Sequence, residues 1–322
     1  MRHIVVFTDE SIRAEAADLL SATCDVRVLR AYPSEDTLVD ACRDADAILA
    51  RLGVVTRRVI ENAGKLRIVA RHGVGVDAVD LDAATERGVV VTTTGSENAA
   101  AVAEYAFALL LALVRHVIAA DAGMREGKWD RDPLVGAELD GATMGVIGYG
   151  AIGRRVARQA MGFGMQVLAC DPASPTPEPG VTLTSLDDLL VRSDVVSLHT
   201  RLSADNVRLI DADAFARMQR GAYLVNTARG ELVDEAALIE ALASGTLRGA
   251  ALDTYEREPL AAHSPLRSIP NVVLSPHVAG QTDAALRRVG IAAAQCILDE
   301  LGGRTPRFVY NPEAYRTRSW NR

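Results

Sequence analysis

The chain is short of several things that would mark a disulfide-stapled, nucleic-acid-binding or membrane-spanning protein. Its four cysteines, Cys24, Cys42, Cys170 and Cys296, form no C-x-x-C pair, so neither a zinc site nor a redox motif is expected, and a reducing compartment such as the cytoplasm fits. Basic residues are outnumbered, 35 Lys and Arg against 42 Asp and Glu, and the net charge of −7 argues against a sequence-wide nucleic-acid footprint. No apolar run is long enough for a bilayer. The most apolar segment, residues 99–120, is interrupted by Glu104 and by Arg115-His116, and its longest uncharged run, residues 105–114, falls well short of the roughly 20 residues a span needs. The first strand signal, Ile4-Val5-Val6-Phe7, begins after three residues, so a signal peptide is not expected. Internal repeats and low-complexity tracts are also missing.

What the chain does have is 322 residues, 49% of them hydrophobic and 24% charged, which is ordinary for a two-domain enzyme with substantial cores. The centre of its organisation is Thr143-Met144-Gly145-Val146-Ile147-Gly148-Tyr149-Gly150-Ala151-Ile152-Gly153-Arg154. Here a short apolar strand runs into G-x-G-x-x-G and then into a helix. Gly148 makes the tight turn, Gly150 lets the backbone approach a pyrophosphate, and Gly153 lets the helix pack on its strand. The helix N-terminus then offers unpaired N–H groups and a positive dipole end to the phosphates. The next strand, Met165-Gln166-Val167-Leu168-Ala169-Cys170, ends at Asp171, eighteen residues past Gly153. An acid there accepts the ribose hydroxyls, and no Arg follows at once to hold a 2′-phosphate, which favours NAD over NADP.

Strand and helix alternate on both sides of this turn. The first ninety or so residues read as strands near 4–7, 26–29, 47–50, 66–70 and 89–91 with helices between them, and lack a glycine phosphate loop. The alternation restarts at residue 143 and runs through strands near 194–198, 222–225, 249–252 and 272–274. Such patterns give parallel sheets covered on both faces. The expected fold is α/β, with two doubly wound parallel-sheet domains. A Rossmann NAD-binding domain, residues 97–285, is inserted into a flavodoxin-like substrate domain, residues 1–96 plus 286–322. A proline-rich loop is expected at 172–180, and the tail after a final helix at 283–301 is expected to cross back to the first domain. One long helix is read over 97–125. It is apolar around much of its circumference, at Ala106, Leu109, Leu110, Leu113, Val117 and Ile118, as if packed on two sides, bridging domains and joining a second subunit.

Three polar residues fall just past strands of the second domain: Arg229 in Asn226-Thr227-Ala228-Arg229-Gly230, Glu258 in Glu256-Arg257-Glu258-Pro259, and His277 in Ser275-Pro276-His277. Open α/β sheets bind ligands at the carboxyl ends of their strands. An imidazole to move a proton, a carboxylate to orient it and a guanidinium to polarise a carbonyl make a set for hydride-transfer chemistry. Taken singly, each also reads as an ordinary ion pair, solvated acid or strand-end hydrogen bond. In the first domain, Arg71-His72-Gly73-Val74-Gly75-Val76-Asp77 places two glycines at a strand end, where backbone N–H groups can take a small anion or merely close a turn.

Together these segments resemble the D-isomer-specific 2-hydroxyacid dehydrogenase family over nearly the whole chain, through Gly73-Val74-Gly75-Val76-Asp77, the 148–153 turn, the signature Asn226-Thr227-Ala228-Arg229-Gly230-Glu231-Leu232-Val233-Asp234-Glu235, Glu258-Pro259 and Ser275-Pro276-His277. The resemblance implies that Arg229, Glu258 and His277 are catalytic, with His277 the acid–base. It implies that backbone amides of Gly73, Val74 and Gly75, with Arg229 and His277, hold the substrate. Gly148, Gly150, Ala151, Ile152, Gly153, Asp171, His199, Thr200, Thr227, Ala228, Asp253 and Gly280 then line the NAD site, no metal is required, and the enzyme is a homodimer joined through its cofactor domains. The implied substrate is a small 2-hydroxy or 2-oxo acid bound in the cleft between the domains, with phosphoglycerate, glycerate or hydroxypyruvate and related acids left open; neither nucleic acid nor membrane is implied as a partner. A second reading keeps the same residues in an NAD(H)-sensing, corepressor-like binding module.

Two departures from the family's phosphoglycerate dehydrogenases stand out. Those enzymes carry basic residues ahead of the helix that begins here near Thr56, whereas this chain has Arg51-Leu52-Gly53-Val54-Val55, with Arg51 in a shifted register. The chain also ends at Arg322, with no expected room for a serine-binding regulatory domain.

Overall fold

The computed structural model describes residues 2–173 and 176–317. By its internal contacts the chain divides into two compact units, Met1–Asn98 with Thr282–Arg322, and Ala99–Gln281.

The first unit alternates β1 (His3–Phe7), α1 (Ala14–Ser21), β2 (Cys24–Val28), α2 (Glu35–Cys42), β3 (Ala47–Ala50), α3 (Arg57–Asn62), β4 (Ile68–Arg71), α4 (Leu81–Glu86) and β5 (Val90–Thr92). All pairings are parallel and the strand order is β2-β1-β3-β4-β5. Order 2-1-3-4-5 is the flavodoxin-like winding, whose topological switch falls between β1 and β3. The strands read as apolar runs because both sheet faces are covered: Val5, Val6, Ile48, Leu49, Ile68, Val69, Val90 and Val91 are all fully buried. Each such side chain contributes about 1.5–3 kcal/mol by leaving water. The helices start where short polar side chains accept the orphan N–H groups, from Thr37 to Ser34, Val59 to Thr56 and Ala83 to Asp80.

The second unit opens with α5 (Ala99–Val114) and α6 (Val117–Arg125), and continues with β6 (Thr143–Ile147), α7 (Ala151–Gly162), β7 (Gln166–Cys170), β8 (Val181–Leu183), α8 (Leu186–Arg192), β9 (Val195–Leu198), α9 (Ala212–Arg217), β10 (Ala222–Asn226), α10 (Glu235–Ala243), β11 (Leu247–Leu252) and β12 (Val272–Leu274). The order β12-β11-β10-β9-β6-β7-β8 is again parallel throughout, the Rossmann winding with its switch between β6 and β9. Two details differ from the sequence reading. Strand β8 follows the proline-rich loop and pairs with β7, where no strand was expected. The single helix read over 97–125 is two helices bent by 63°. At the break His116 takes a left-handed conformation, φ 53°, and the Val114 carbonyl accepts from the Ala137 N–H, 2.9 Å, instead of continuing the ladder. The close approach that delivers this bond needs Gly136, since a Cβ there would lie 2.4 Å from the same carbonyl oxygen. Helix α5 buries Ala106, Leu109, Leu110 and Leu113 against its own sheet, whereas α6 buries nothing within this chain. Among the described residues no single helix is long and apolar enough to cross a membrane.

The chain then returns to the first unit as α11 (Asp283–Leu301), capped by Thr282 and packed on α1 and β4, and ends with α12 (Ala314–Thr317). The tail between them is tied to β5. Tyr310 N–H donates to Val91 O at 2.8 Å, and the Asn311 side chain accepts from Val91 N and donates to Val89 O.

Candidate active site

The glycine turn sits at the switch point of the Rossmann sheet. Gly148 has φ 91°, and a Cβ there would lie 2.5 Å from the His199 carbonyl carbon at the end of β9, so the two strand ends close on one another only around a glycine. A Cβ on Gly153 would lie 2.0 Å from Gly148 O, which is the close strand-to-helix contact expected of the third glycine. At Gly150, by contrast, a Cβ would meet nothing within 4 Å: this glycine faces open space at the N-terminus of α7, which has no side-chain cap. Ala151 and Ile152 form the first turn of that helix.

Asp171 closes β7. Its Oδ2 accepts from the Tyr149 N–H at 2.7 Å and its Oδ1 from Ala173 N–H at 2.8 Å, so the carboxylate is locked against the glycine turn with one lone pair left on each oxygen. Tyr149, fully buried, is covered by the Arg154 guanidinium at 4.4 Å from its ring centroid. Beyond Gly148, the strand ends carry polar atoms that the protein itself leaves unpaired: His199 Nδ1 after β9, Thr227 Oγ1 after β10 and Thr254 Oγ1 after β11. The His199 ring is desolvated and its pKa pushed down to about 3, with Nε2 against Ser197 Oγ at 2.8 Å. Thr200 lies beside it, half-buried. Buried polar groups are normally paired, so a row of orphans along one sheet edge, with the glycine cradle, suits a polar dinucleotide. Thr254 did not emerge from the sequence, because a lone Thr after a strand carries no pattern.

Arg229, Glu258 and His277 are brought together in the same unit. After β10, Asn226 folds its side chain back: Nδ2 donates to Arg229 O at 2.8 Å and Oδ1 accepts from Ala228 N–H at 3.0 Å, which sets the turn that presents Arg229. One guanidinium N–H of Arg229 donates to Ala228 O at 2.7 Å. Gly230 is pressed against the loop after β11; a Cβ there would lie 1.8 Å from the Tyr255 carbonyl carbon. That loop carries Glu258, whose Oε1 accepts from the Tyr255 N–H at 3.2 Å and whose Oε2 meets His277 Nδ1 at 2.7 Å. An ionised carboxylate can only accept, so Nδ1 carries a proton and Nε2 is the ring atom left for a substrate.

The electrostatics follow. The Glu258 hydrogen bond raises the His277 pKa above the ordinary imidazole value, against burial and the nearby Arg229 charge, which lower it. Burial pushes Glu258 up, but the His277 hydrogen bond and charge, the Tyr255 N–H and Arg229 outweigh it, and the carboxyl lies below its ordinary range.

His277 is held in a left-handed conformation, φ 55°. Such a backbone costs about 1–3 kcal/mol and needs a scaffold. Asp253 supplies it: fully buried, its Oδ1 accepts from Ser275 Oγ at 2.6 Å and from Val278 N–H at 2.9 Å, and its Oδ2 from Ala279 N–H at 2.8 Å. Gly280 completes that turn, closed by Gln281 N–H to Val278 O.

In the first unit the loop after β4 carries Gly73, Val74 and Gly75, each half-buried. Arg71 shapes it, donating from Nε to Gly75 O at 3.0 Å and from Nη1 to Ala50 O at 2.9 Å. Thr94 N–H donates to Gly73 O, and none of the N–H groups of residues 73–75 has an acceptor among the described residues. No group of three or more described His, Cys, Asp or Glu residues is placed to hold a metal ion.

The family model for the D-isomer specific 2-hydroxyacid dehydrogenase, NAD binding domain, matches residues 107–279, over half of the chain and the whole trio. The chain belongs to the D-isomer-specific 2-hydroxyacid dehydrogenase family. It is 39% identical over 300 residues to a hydroxypyruvate reductase of Thermotoga maritima, covering 92% of this chain and 98% of that one. It is 44% identical over 275 residues to a D-3-phosphoglycerate dehydrogenase of Mycobacterium bovis, covering 84% of this chain but only about half, 52%, of that longer protein. Among solved structures, the TT0316 protein of Thermus thermophilus superposes with a TM-score of 0.89 at 37% identity, covering 95% of this chain and 99% of that one. As a member of this family the protein is an NAD(H)-dependent oxidoreductase acting on the CH–OH group of 2-hydroxy acids, and its relatives favour that reading over the NAD(H)-sensing module.

Proposed function

We propose that this dehydrogenase works as a reductase of a small 2-oxoacid, with His277 as the acid–base, Glu258 as the group that orients and charges it, and Arg229 as the cation at the reacting carbonyl. The 2.7 Å contact between His277 Nδ1 and Glu258 Oε2 carries the reading, because it leaves Nε2 as the exchangeable proton and favours the imidazolium that reduction consumes.

When bound, NADH supplies the hydride that reaches C2 of the oxoacid. The protein's residues do the rest. Gly148, Gly150, Ala151, Ile152 and Gly153 hold the pyrophosphate at the start of α7, and Asp171 takes the adenosine ribose hydroxyls with its remaining lone pairs. His199, Thr200, Thr227, Ala228, Asp253 and Gly280 lie at or beside the strand ends and would line or brace the rest of the cofactor site. The N–H groups of Gly73, Val74 and Gly75 take the substrate carboxylate. Arg229 steadies the negative charge that develops on the C2 oxygen, and His277 Nε2 delivers its proton there, leaving a neutral imidazole still hydrogen-bonded to Glu258. In oxidation the same atoms act in reverse.

A carboxylate at Asp171, with no cation directly after it, supports NAD over NADP. The unburied apolar face of α6 supports a homodimer joined through the cofactor unit, and four free cysteines without C-x-x-C spacing support a reducing cytoplasm. The experiment is NADH oxidation at 340 nm with glyoxylate, hydroxypyruvate, pyruvate, 2-oxoglutarate, phenylpyruvate and phosphohydroxypyruvate, with NADPH in parallel. Turnover of at least one with NADH is expected; a folded protein that binds NADH and reduces none of them would overturn the proposal.

A further inference from the structure

The loop after β11 does more than deliver Glu258. Tyr255, the third residue past that strand, touches the support of each member of the trio. Its backbone lies directly on Gly230, where a Cβ would sit 1.8 Å from the Tyr255 carbonyl carbon and 2.1 Å from its oxygen, so it bears on the turn that presents Arg229. Its N–H donates to Glu258 Oε1 at 3.2 Å, while Oε2 meets His277. Its hydroxyl lies 2.9 Å from Ser275 O, two residues before His277, and 3.2 Å from Leu252 O at the end of β11. A phenol has one proton to give, and the shorter of these contacts is the one to the His277 loop.

That bond stands where the sheet gives out. Past the paired ends of β11 and β12, Ser275 N–H still donates to Leu252 O at 2.9 Å, and from there one chain runs to Glu258 and the other to His277. Pro276 has no N–H with which to continue the ladder. The Tyr255 hydroxyl bridges the two chains instead. Its ring is buried in the hydrophobic core of the second unit, 6% exposed, and so offers a fixed point. The next residue is clamped to the start of α10: Glu235 Oε1 accepts from the Glu256 N–H at 2.8 Å, and Glu256 Oε1 from the Glu235 N–H at 3.4 Å. Burial pushes the phenol pKa up to about 12, so the hydroxyl remains a donor throughout the range in which an imidazole titrates.

We infer that Tyr255 is a positioning residue for the proton transfer: its N–H holds Glu258 and its hydroxyl holds the His277 loop, so that one buried ring keeps carboxylate and imidazole paired. The inference rests on the acid–base reading of His277. A hydrogen bond weakens steeply as its angle opens, so release of either end loosens the pair. Glu258 is the chief group keeping the proton on His277, with the Asp253 charge adding to it and Arg229 opposing.

The test measures kcat and KM for reduction across pH in the full-length enzyme, with saturating NADH and the oxoacid that the wild type reduces best. The variants are Tyr255→Phe, Glu258→Gln and the two combined, with folding checked by thermal melting. Tyr255→Phe keeps the ring and removes only the hydroxyl. It is expected to lower kcat by about tenfold, since small misplacements of a reacting group cost on that scale or more, and to move the descending limb of the profile to lower pH. In the Glu258→Gln background the same change is expected to move the limb no further, because the pair it preserves is already gone. Glu235→Ala releases the Glu256 N–H and shifts kcat and the limb in the same direction by less, which decides the matter if Tyr255→Phe does not fold. A kcat and a limb that stay put in every folded variant, whatever the melting temperature does, overturn the inference and leave the reductase reading intact. So does a limb that moves equally in both backgrounds. A wild type that reduces no oxoacid overturns both.

Discussion

A carboxylate 2.7 Å from an imidazole changes both groups, and at His277 the change has a sign that activity can report. Reduction needs the imidazolium, so its kcat/KM is full below the His277 pKa and falls as the pH rises through it. Because Glu258 holds that pKa above the ordinary value, the fall comes late. Glu258→Gln removes the leading cause of the upward shift and leaves burial and Arg229, both of which lower the pKa. The descending limb of the reduction profile is therefore expected to move to lower pH, and the rising limb of the oxidation profile to move with it. A profile unchanged by the substitution would remove Glu258 from the mechanism. His277→Asn keeps a polar side chain but no exchangeable imidazolium, and a kcat loss of about 10²-fold or more is expected in both directions, measured with saturating NADH or NAD. Turnover within about tenfold of wild type would show that another group moves the proton.

Between single residues and the whole chain, short elements do the positioning. The loop after β12 holds His277 at φ 55° through three hydrogen bonds to one buried carboxylate. In Asp253→Asn one acceptor becomes an NH₂ facing a donor, an unsatisfied arrangement worth about 1–3 kcal/mol. That loss falls on the catalytic loop, so kcat is expected to drop by about tenfold or more while the fold survives in thermal melting; a large fall in melting temperature with kcat intact would reverse the assignment. Gly153→Ala tests the turn at the start of α7. Its new Cβ would sit 2.0 Å from Gly148 O, backbone that cannot swing aside, and overpacking of this kind costs about 1–3 kcal/mol. Weaker NADH binding by about tenfold in a fluorescence titration is the expected result, and unchanged affinity would show that the turn relaxes elsewhere.

At the scale of the molecule, the break at His116 decides what the apolar stretch after Asn98 does. Helix α5 spends its apolar residues on the second unit's own core, while α6 and the segment after it leave Val117, Ile118, Met124, Trp129 and Val135 all more than half exposed. Several large apolar side chains within a short stretch are characteristic of a protein interface. The double substitution Ile118→Glu with Trp129→Glu is expected to convert a dimer to a monomer by light scattering, with each unit still folded; a wild-type protein that is already monomeric would refute the dimer.

Much of this was legible before any coordinates. Alternating apolar runs and helix caps specify two parallel α/β sheets, because period and capping are local properties. G-x-G-x-x-G before Asp171 specifies the dinucleotide turn, because Gly148 must take a positive φ and Gly153 must clear the Gly148 carbonyl within the same short stretch, and the family signature names the trio through ordered motifs. Tertiary structure decided the rest. That the stretch through residue 125 breaks into two helices depends on a carbonyl claimed by Ala137, far along the chain. That Asp253 braces His277 depends on Ser275, Val278 and Ala279 beyond a neighbouring strand, and that the Thr254 hydroxyl is buried without a partner depends on how the strand ends pack. Sequence spacing reports what lies one turn or one strand away; charge compensation and hydrogen-bond satisfaction are settled only where distant strand ends meet.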